Sequence, residues 1–233
     1  MLRSILATSI FALAATPAPA QEAETGFDIE RYRDGFSAEQ LIGADVVGTA
    51  GEEFGEVQSL ILTPEGQIER VVVEVGGFLD IGDKAIAVPW DRITFDVEGR
   101  AVRANGIDAD NVEDFSLFGD REAIDPEGRR FRADELLDDY VRTAGDRYFG
   151  YVHDLIFSRE GRLGGIVVTP DVMYPTASYM ALPWHGYGDG IGFDPGDDTY
   201  TVPAMDDETA VYDPFPYREI GRASCRERVY TKV

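Results

Sequence analysis

The sequence predicts an all-β protein built of two small antiparallel β-barrels in tandem, each followed by a short helix or turn segment. Three observations carry that expectation. A passage occurs twice, as FGEVQSLILTPEG at 54–66 and as FGYVHDLIFSREG at 149–161. Each copy leads on to an Ala-x-Pro-Trp element, at 87–90 and 181–184. Between these landmarks lie short runs rich in Val, Ile and Leu, bounded by Gly and Pro, with no long helical periodicity. Gly55, Val57, Leu60, Ile61, Glu65 and Gly66 thus meet Gly150, Val152, Leu155, Ile156, Glu160 and Gly161. The offset of roughly 95 residues exceeds any solenoid period, which makes this a duplicated domain rather than a repeat array.

At the N-terminus, Arg3 precedes an apolar run over 5–15, and Ala18-Pro19-Ala20 supplies small residues at a cleavage position before Gln21. This is the pattern of a secretory signal peptide over 1–20, so the chain is expected to be exported and, once cut near Ala20, soluble in the periplasm. No cysteine follows the run, so lipoprotein anchoring has no support. Residues 21–35 form a polar leader expected to be mobile.

In the first domain, expected over 36–115, the runs 45–48, 56–63, 68–75, 84–89 and 92–95 have the length of strands. Apolar residues fall on both parities of Val57-Gln58-Ser59-Leu60-Ile61-Leu62 and are continuous at 71–73. Such strands are covered on both faces, as in a small closed barrel. Pro64-Glu65-Gly66 puts proline early in a turn and glycine where positive φ is tolerated, a tight link between antiparallel strands. A short helix is expected over 109–115 with Asp108 as N-cap. Residues 116–133 carry Gly119, Pro126 and Gly128 with little apolar content and read as a linker. The second domain is expected over 134–218, with a matching helical segment at 205–212 and Asp206 at its start.

Beyond it, EIGRASCRERVY at 219–230 resembles a translated sequencing adapter, so 219–233 is set apart from the fold. That segment holds Cys225, the only cysteine. The body must therefore be held by its core alone, which domains of about 80 to 100 residues can supply. The chain has 21 Lys+Arg against 44 Asp+Glu. Removing Arg3 and the tail's four basic and two acidic residues leaves 16 against 42, a net charge of −26 over 21–218. Such a surface repels phosphate backbones and anionic headgroups, so neither nucleic acid nor direct lipid binding is expected. The acidity suits a solvated exterior or a face for a basic partner or divalent cations.

Candidate chemistry is sparse. His153 and His185 face Gln58 and Asp91 in the other copy, so neither belongs to the shared framework. No G-x-S-x-G, H-E-x-x-H, P-loop or dinucleotide fingerprint occurs, and the chain is expected not to be an enzyme and to need no cofactor. Asp189, Asp194, Asp197 and Asp198 crowd a glycine-rich stretch that offers oxygen ligands for calcium, or equally an ordinary run of turns. Tyr174, Tyr179 and Tyr187 have no aromatic counterpart in the first copy and suit a recognition surface. Trp184 matches Trp90 and reads as packing. Phe78, Leu79 and Ile81 sit at the tip of a glycine-bounded hairpin, where they either cover the barrel mouth or are presented outward.

The G-x-V-x-x-L-I pattern at 55–61, the loop Gly76-Gly77-Phe78-Leu79-Asp80-Ile81-Gly82 and the Val88-Pro89-Trp90 strand end resemble the PRC-barrel domain. The second copy keeps G-x-V-x-x-L-I at 150–156 and Leu182-Pro183-Trp184, but its loop has become DVMYPTAS at 171–178, so it resembles a diverged copy. The resemblance implies a non-catalytic adaptor that binds a protein of the periplasm or envelope. The alternative is a calcium- or small-ligand-binding module using the acidic loop of Asp189, Asp194, Asp197 and Asp198.

Overall fold

Glycine-punctuated strands fold here into two sheets that share one core. A computed structural model describes residues 27–75, 84–96, 101–108, 110–112, 130–171, 179–187, 190–194, 197–203 and 220. The first unit runs β1 (Phe36–Ser37), α1 (Ala38–Leu41), β2 (Asp45–Val47), β3 (Glu53–Leu62), β4 (Ile68–Val75), β5 (Lys84–Pro89), β6 (Ile93–Asp96) and β7 (Ala101–Ala104). The second repeats the series as β8 (Phe131–Arg132), α2 (Ala133–Leu136), β9 (Tyr140–Thr143), β10 (Tyr148–Phe157), β11 (Leu163–Pro170), β12 (Met180–Pro183), β13 (Gly192–Asp194) and β14 (Thr199–Val202).

The all-β expectation holds, with two changes of topology. The sheets run β5-β4-β3-β2-β7-β6 and β12-β11-β10-β9-β14-β13. They are mixed rather than antiparallel, because β2 pairs β7, and β9 pairs β14, in parallel. Nor do they close into barrels among the described residues. Pro89 ends β5, and the 3-10 turn Trp90–Arg92 swings the chain around so that β6 pairs with β7 instead of continuing the ladder. The repeated passage folds alike down to its irregularities. Bulges fall between Val57 and Ser59 and between Ile61 and Leu62 in β3, and between Val152 and Asp154 and between Ile156 and Phe157 in β10.

The units exchange their first elements. β1 pairs with β10 of the second unit, Phe36 opposite Phe157, while β8 pairs with β3 of the first, Leu62 opposite Phe131. Phe36 stacks on Phe157 at 5.4 Å and lies 5.7 Å from Trp90; Phe131 stacks on Trp184 at 5.7 Å. Both phenylalanines, and Ala38, Leu41, Ala133 and Leu136 behind them, are buried. The segment expected to be a linker over 116–133 therefore ends in structure: Phe131 and Ala133 are core residues, because each ten-residue strand has an edge that only the other unit's β-α element covers.

The two hairpin turns also meet. Ile68 donates to the Gly161 carbonyl at 2.9 Å, and Leu163 donates to that of Gly66 at 2.7 Å. Both glycines have positive φ, 81° and 79°. A Cβ would lie 2.8 Å from Trp184 Nε1 at Gly66 and 2.6 Å from Trp90 Nε1 at Gly161. Glycine is thus required twice over, by the turn and by the tryptophan resting on it.

Part of the leader expected to be mobile is docked. Ile29–Tyr32 is a 3-10 turn, Phe27 stacks on Tyr32 at 5.0 Å, and a Cβ on Gly164 or Gly165 would collide with these two rings. The expected helix after β7 is a turn as far as it is described, with Asn111 donating to the Asp108 carbonyl at 3.0 Å. The Asp108 carboxylate instead accepts from Ala50 at 2.9 Å. Residues 205–212 and the signal-peptide segment lie outside the described residues. Of 219–233 only Ile220 is described, buried beside Ile156 and Val167.

Because β1 and β8 pair across the units, a fragment comprising 27–112 should form a homodimer in which its own Phe36 covers Leu62 of a second copy. Size-exclusion chromatography with light scattering checks this, and a stable monomer with cooperative melting contradicts it. In the full chain, Phe131→Ala should destabilise by about 3–5 kcal/mol in denaturant titration.

Candidate interaction surface

Since the two units share strands, bulges and turns, what distinguishes them is the side chains the common frame presents outward. Asp45 lies directly opposite Glu56, and Glu56 opposite Glu74, a row of carboxylates across β2, β3 and β4. Glu53 stands opposite Val47, and Gln58 Nε2 donates to Glu74 at 3.3 Å. Like charges directly opposite in a sheet are unfavourable.

The same positions in the second unit are Tyr140, Tyr151 and Thr169, with Tyr148 opposite Arg142. Tyr140, Tyr148 and Tyr151 are 55%, 43% and 39% exposed, which with Ile191 makes them the exposed large apolar side chains among the described residues. The Tyr140 and Tyr148 rings meet edge-on at 5.7 Å. Burial, then the Asp171 carboxylate, push the Tyr148 phenol above its ordinary pKa. Asp171 is held nearby by its N–H, which donates to the Phe149 carbonyl at 3.0 Å. Arg142 is engaged with Asp146 at 2.8 Å.

Immediately before β9 lies a second departure. Gly43 and Ala44 of the first unit are replaced by Asp138 and Asp139 in the same backbone: Asp138 donates to Val152 at 2.9 Å as Gly43 does to Val57 at 2.8 Å. Asp138 even keeps the left-handed conformation, φ 69° against 77°. Asp139 is 8% exposed, and its Oδ2 has no hydrogen-bond partner. Burial, then the carboxylates of Asp198, Glu135 and Asp138, raise its carboxyl from 3.8 to about 7.

The residues singled out from sequence are placed as follows. Phe78, Leu79, Ile81, Tyr174 and Asp189 lie outside the described residues. Tyr179 is half-buried, stacked on His153 at 4.6 Å and packed against Ile156 and Val167. Tyr187 is half-buried between Phe131 and Phe193, at 6.4 and 6.1 Å. Both tyrosines therefore take part in packing. Trp184 packs as expected, between Phe131 and Tyr200. Beside it, the His185 N–H donates to the Tyr200 hydroxyl at 2.8 Å. Asp194 and Asp197 close a turn, Asp197 donating to the Asp194 carbonyl at 3.1 Å, and Asp198 has φ 45°. Among the described residues no group of three or more His, Cys, Asp or Glu is arranged to hold a metal ion.

Sequence reasoning missed Asp139, Tyr140, Tyr148 and Tyr151. The signal was present in the repeat itself, as positions where the copies disagree in charge class: Ala44 against Asp139, Asp45 against Tyr140, Glu53 against Tyr148 and Glu56 against Tyr151.

The chain folds as two β-rich units with the same series of strands. Residues 33–114, from just before β1 to the turn after β7, match the PRC-barrel domain family. No curated protein is similar enough to the chain to count as a match. Among the described residues no helix is long and apolar enough to cross a membrane.

The Asp139 carboxyl supplies a pH test. Its folded-state pKa lies above the unfolded one, so between 3.8 and about 7 the native protein keeps a proton that the unfolded chain has released. Its contribution therefore favours folding at the acid end and is lost as pH rises through about 7. Asp139→Asn should raise stability at pH 8 by roughly 1–3 kcal/mol and flatten this part of the pH profile, as read by urea titration at several pH values.

Proposed function

We propose that the chain is a non-catalytic protein-interaction module that acts, after export, on a partner in the bacterial periplasm or envelope. The observation that carries this reading is the divergence of one exposed sheet face between two units that otherwise keep the same strands and bulges. Packing explains what the copies share. Recognition explains what they do not, because a buried frame constrains a face far less than the core behind it. The match of 33–114 to the PRC-barrel family supports a module of this kind, and the Arg3, apolar-run and Ala-Pro-Ala pattern supports export.

Two measurements test the proposal separately. A fusion of residues 1–35 to a reporter that is active only outside the cytoplasm should be active, and a silent fusion removes the export element. In-cell crosslinking through a photoreactive residue at Tyr148 should join the chain to one dominant protein, while the same probe at the buried Leu155 should not. Crosslinks that are equal at both positions, or absent at both, contradict an interaction role for this face. Calcium titration that produces heat and a raised melting temperature would move the function to the loop of Asp189, Asp194, Asp197 and Asp198.

A further inference from the structure

The tyrosine face allows the partner's chemistry to be narrowed, an inference that rests on the interaction reading above. We propose that Tyr140, Tyr148 and Tyr151 form a platform that docks an arginine-bearing segment of the partner protein.

Three observations lead there. First, the positions are selective: the first unit carries Asp45, Glu53 and Glu56 in the same register, so the second has exchanged three carboxylates for three phenols on one face. Neither set is needed by the core, because all six side chains are exposed. Second, the rings are exposed beside negative charge. Asp171 acts on Tyr148, Asp138 directly precedes the Asp139-Tyr140 pair and is exposed, and Arg142, opposite Tyr148 in the ladder, is engaged with Asp146. An incoming guanidinium can therefore stack on a tyrosine and keep carboxylates within reach, whereas an anionic ligand meets those carboxylates. Third, the chain as a whole carries a net charge of −23, which attracts a basic partner and orients it before contact.

Charge alone would draw basic peptides to any part of this surface, so the first unit's carboxylate face serves as the internal contrast. It offers more negative charge and no aromatic ring. If attraction were purely Coulombic, that face would bind better; if ring stacking decides, the tyrosine face does.

The experiment titrates the full chain with an arginine–glycine–serine repeat peptide, its lysine counterpart, its glutamine counterpart and a neutral N-acetylglucosamine oligosaccharide. The arginine peptide should bind most tightly, and the glutamine peptide and sugar should not bind. The triple variant Tyr140→Ser, Tyr148→Ser, Tyr151→Ser keeps the net charge and should bind the arginine peptide about tenfold more weakly, with Tyr→Phe at the same positions close to wild type. Aromatic NMR of the unmodified protein gives a reading independent of variant folding: the peptide should shift Tyr140, Tyr148 and Tyr151 and leave buried Tyr200 in place. Unchanged affinity in a folded serine variant, or shifts confined to other residues, would show that the face is wrong while leaving the interaction reading to the crosslinking result. Preference for the sugar, equal affinity for the lysine peptide, or no binding at all overturns the partner class.

Discussion

Everything in this molecule depends on the reciprocal exchange of two short β-α elements. The central strands β3 and β10 each end in a run of buried residues, Leu60, Ile61 and Leu62 in one and Leu155, Ile156 and Phe157 in the other. One edge of each run pairs within its own unit, and on the other edge the last two residues pair with a strand of the opposite unit. The polar groups at the seam follow the same rule. Buried Ser59 donates to Asp134 in the first turn of α2, and buried Asp154 accepts from the Glu39 N–H in the first turn of α1 at 3.0 Å. Each helix start leaves backbone N–H groups without intrahelical partners. At α1 a side chain of the other unit supplies the acceptor, and at α2 the other unit braces the acidic first turn. Separation of the units would expose apolar strand ends and strand buried polar groups together, which couples the two folding events.

The tryptophans extend that coupling to the hairpin turns. Trp90 Nε1 donates to the Glu160 carbonyl at 3.1 Å, in the turn of the other unit, and Trp184 rests on Gly66 in the reverse sense. The symmetry is imperfect, since Trp184 Nε1 is buried without an acceptor. An unsatisfied buried donor is unfavourable. It lies in the unit that diverged, beside the Tyr200 hydroxyl network that ties Pro183 to His185. The second unit has thus accepted two buried polar defects, at Trp184 and Asp139, in a frame that the first keeps without either.

What could be read from the sequence follows from what leaves a periodic trace. The repeated strand series, the all-β class and the turn at Pro64-Glu65-Gly66 were legible because apolar spacing and turn chemistry are local. The exchange was not. Leu62 in its own unit and Phe157 in the other are equally suited to Phe36, both buried and apolar at equivalent positions, so no pattern of residue types distinguishes pairing within a unit from pairing between units. A strand of two residues, β1 or β8, is also too short to show alternation. Parallel pairing of β2 with β7 is silent for the same reason. The docked leader escaped notice because its anchors, Phe27 and Tyr32, are scattered among charges, and the cavity they fill exists only because the second copy has Gly164 and Gly165 where the first has Glu69 and Arg70.

That last contrast concerns the chain leading into each exchanged strand. In the first unit Glu69 is held by Arg130 at 2.5 and 2.8 Å, an ion pair on the segment that leads into β8, and Arg130 holds its carboxyl below the ordinary range. In the second unit the same site is a hydrophobic seat for Tyr32. The chain leading into each exchanged strand is therefore anchored by different chemistry at equivalent points, with charge in one and aromatic packing in the other. The two faces on β2–β3 and β9–β10 show the same division, carboxylates against tyrosines. Duplication supplied two equivalent surfaces on a single core. The core behind both is apolar, so the outward side chains differ without disturbing it, carboxylates on one face and tyrosines on the other.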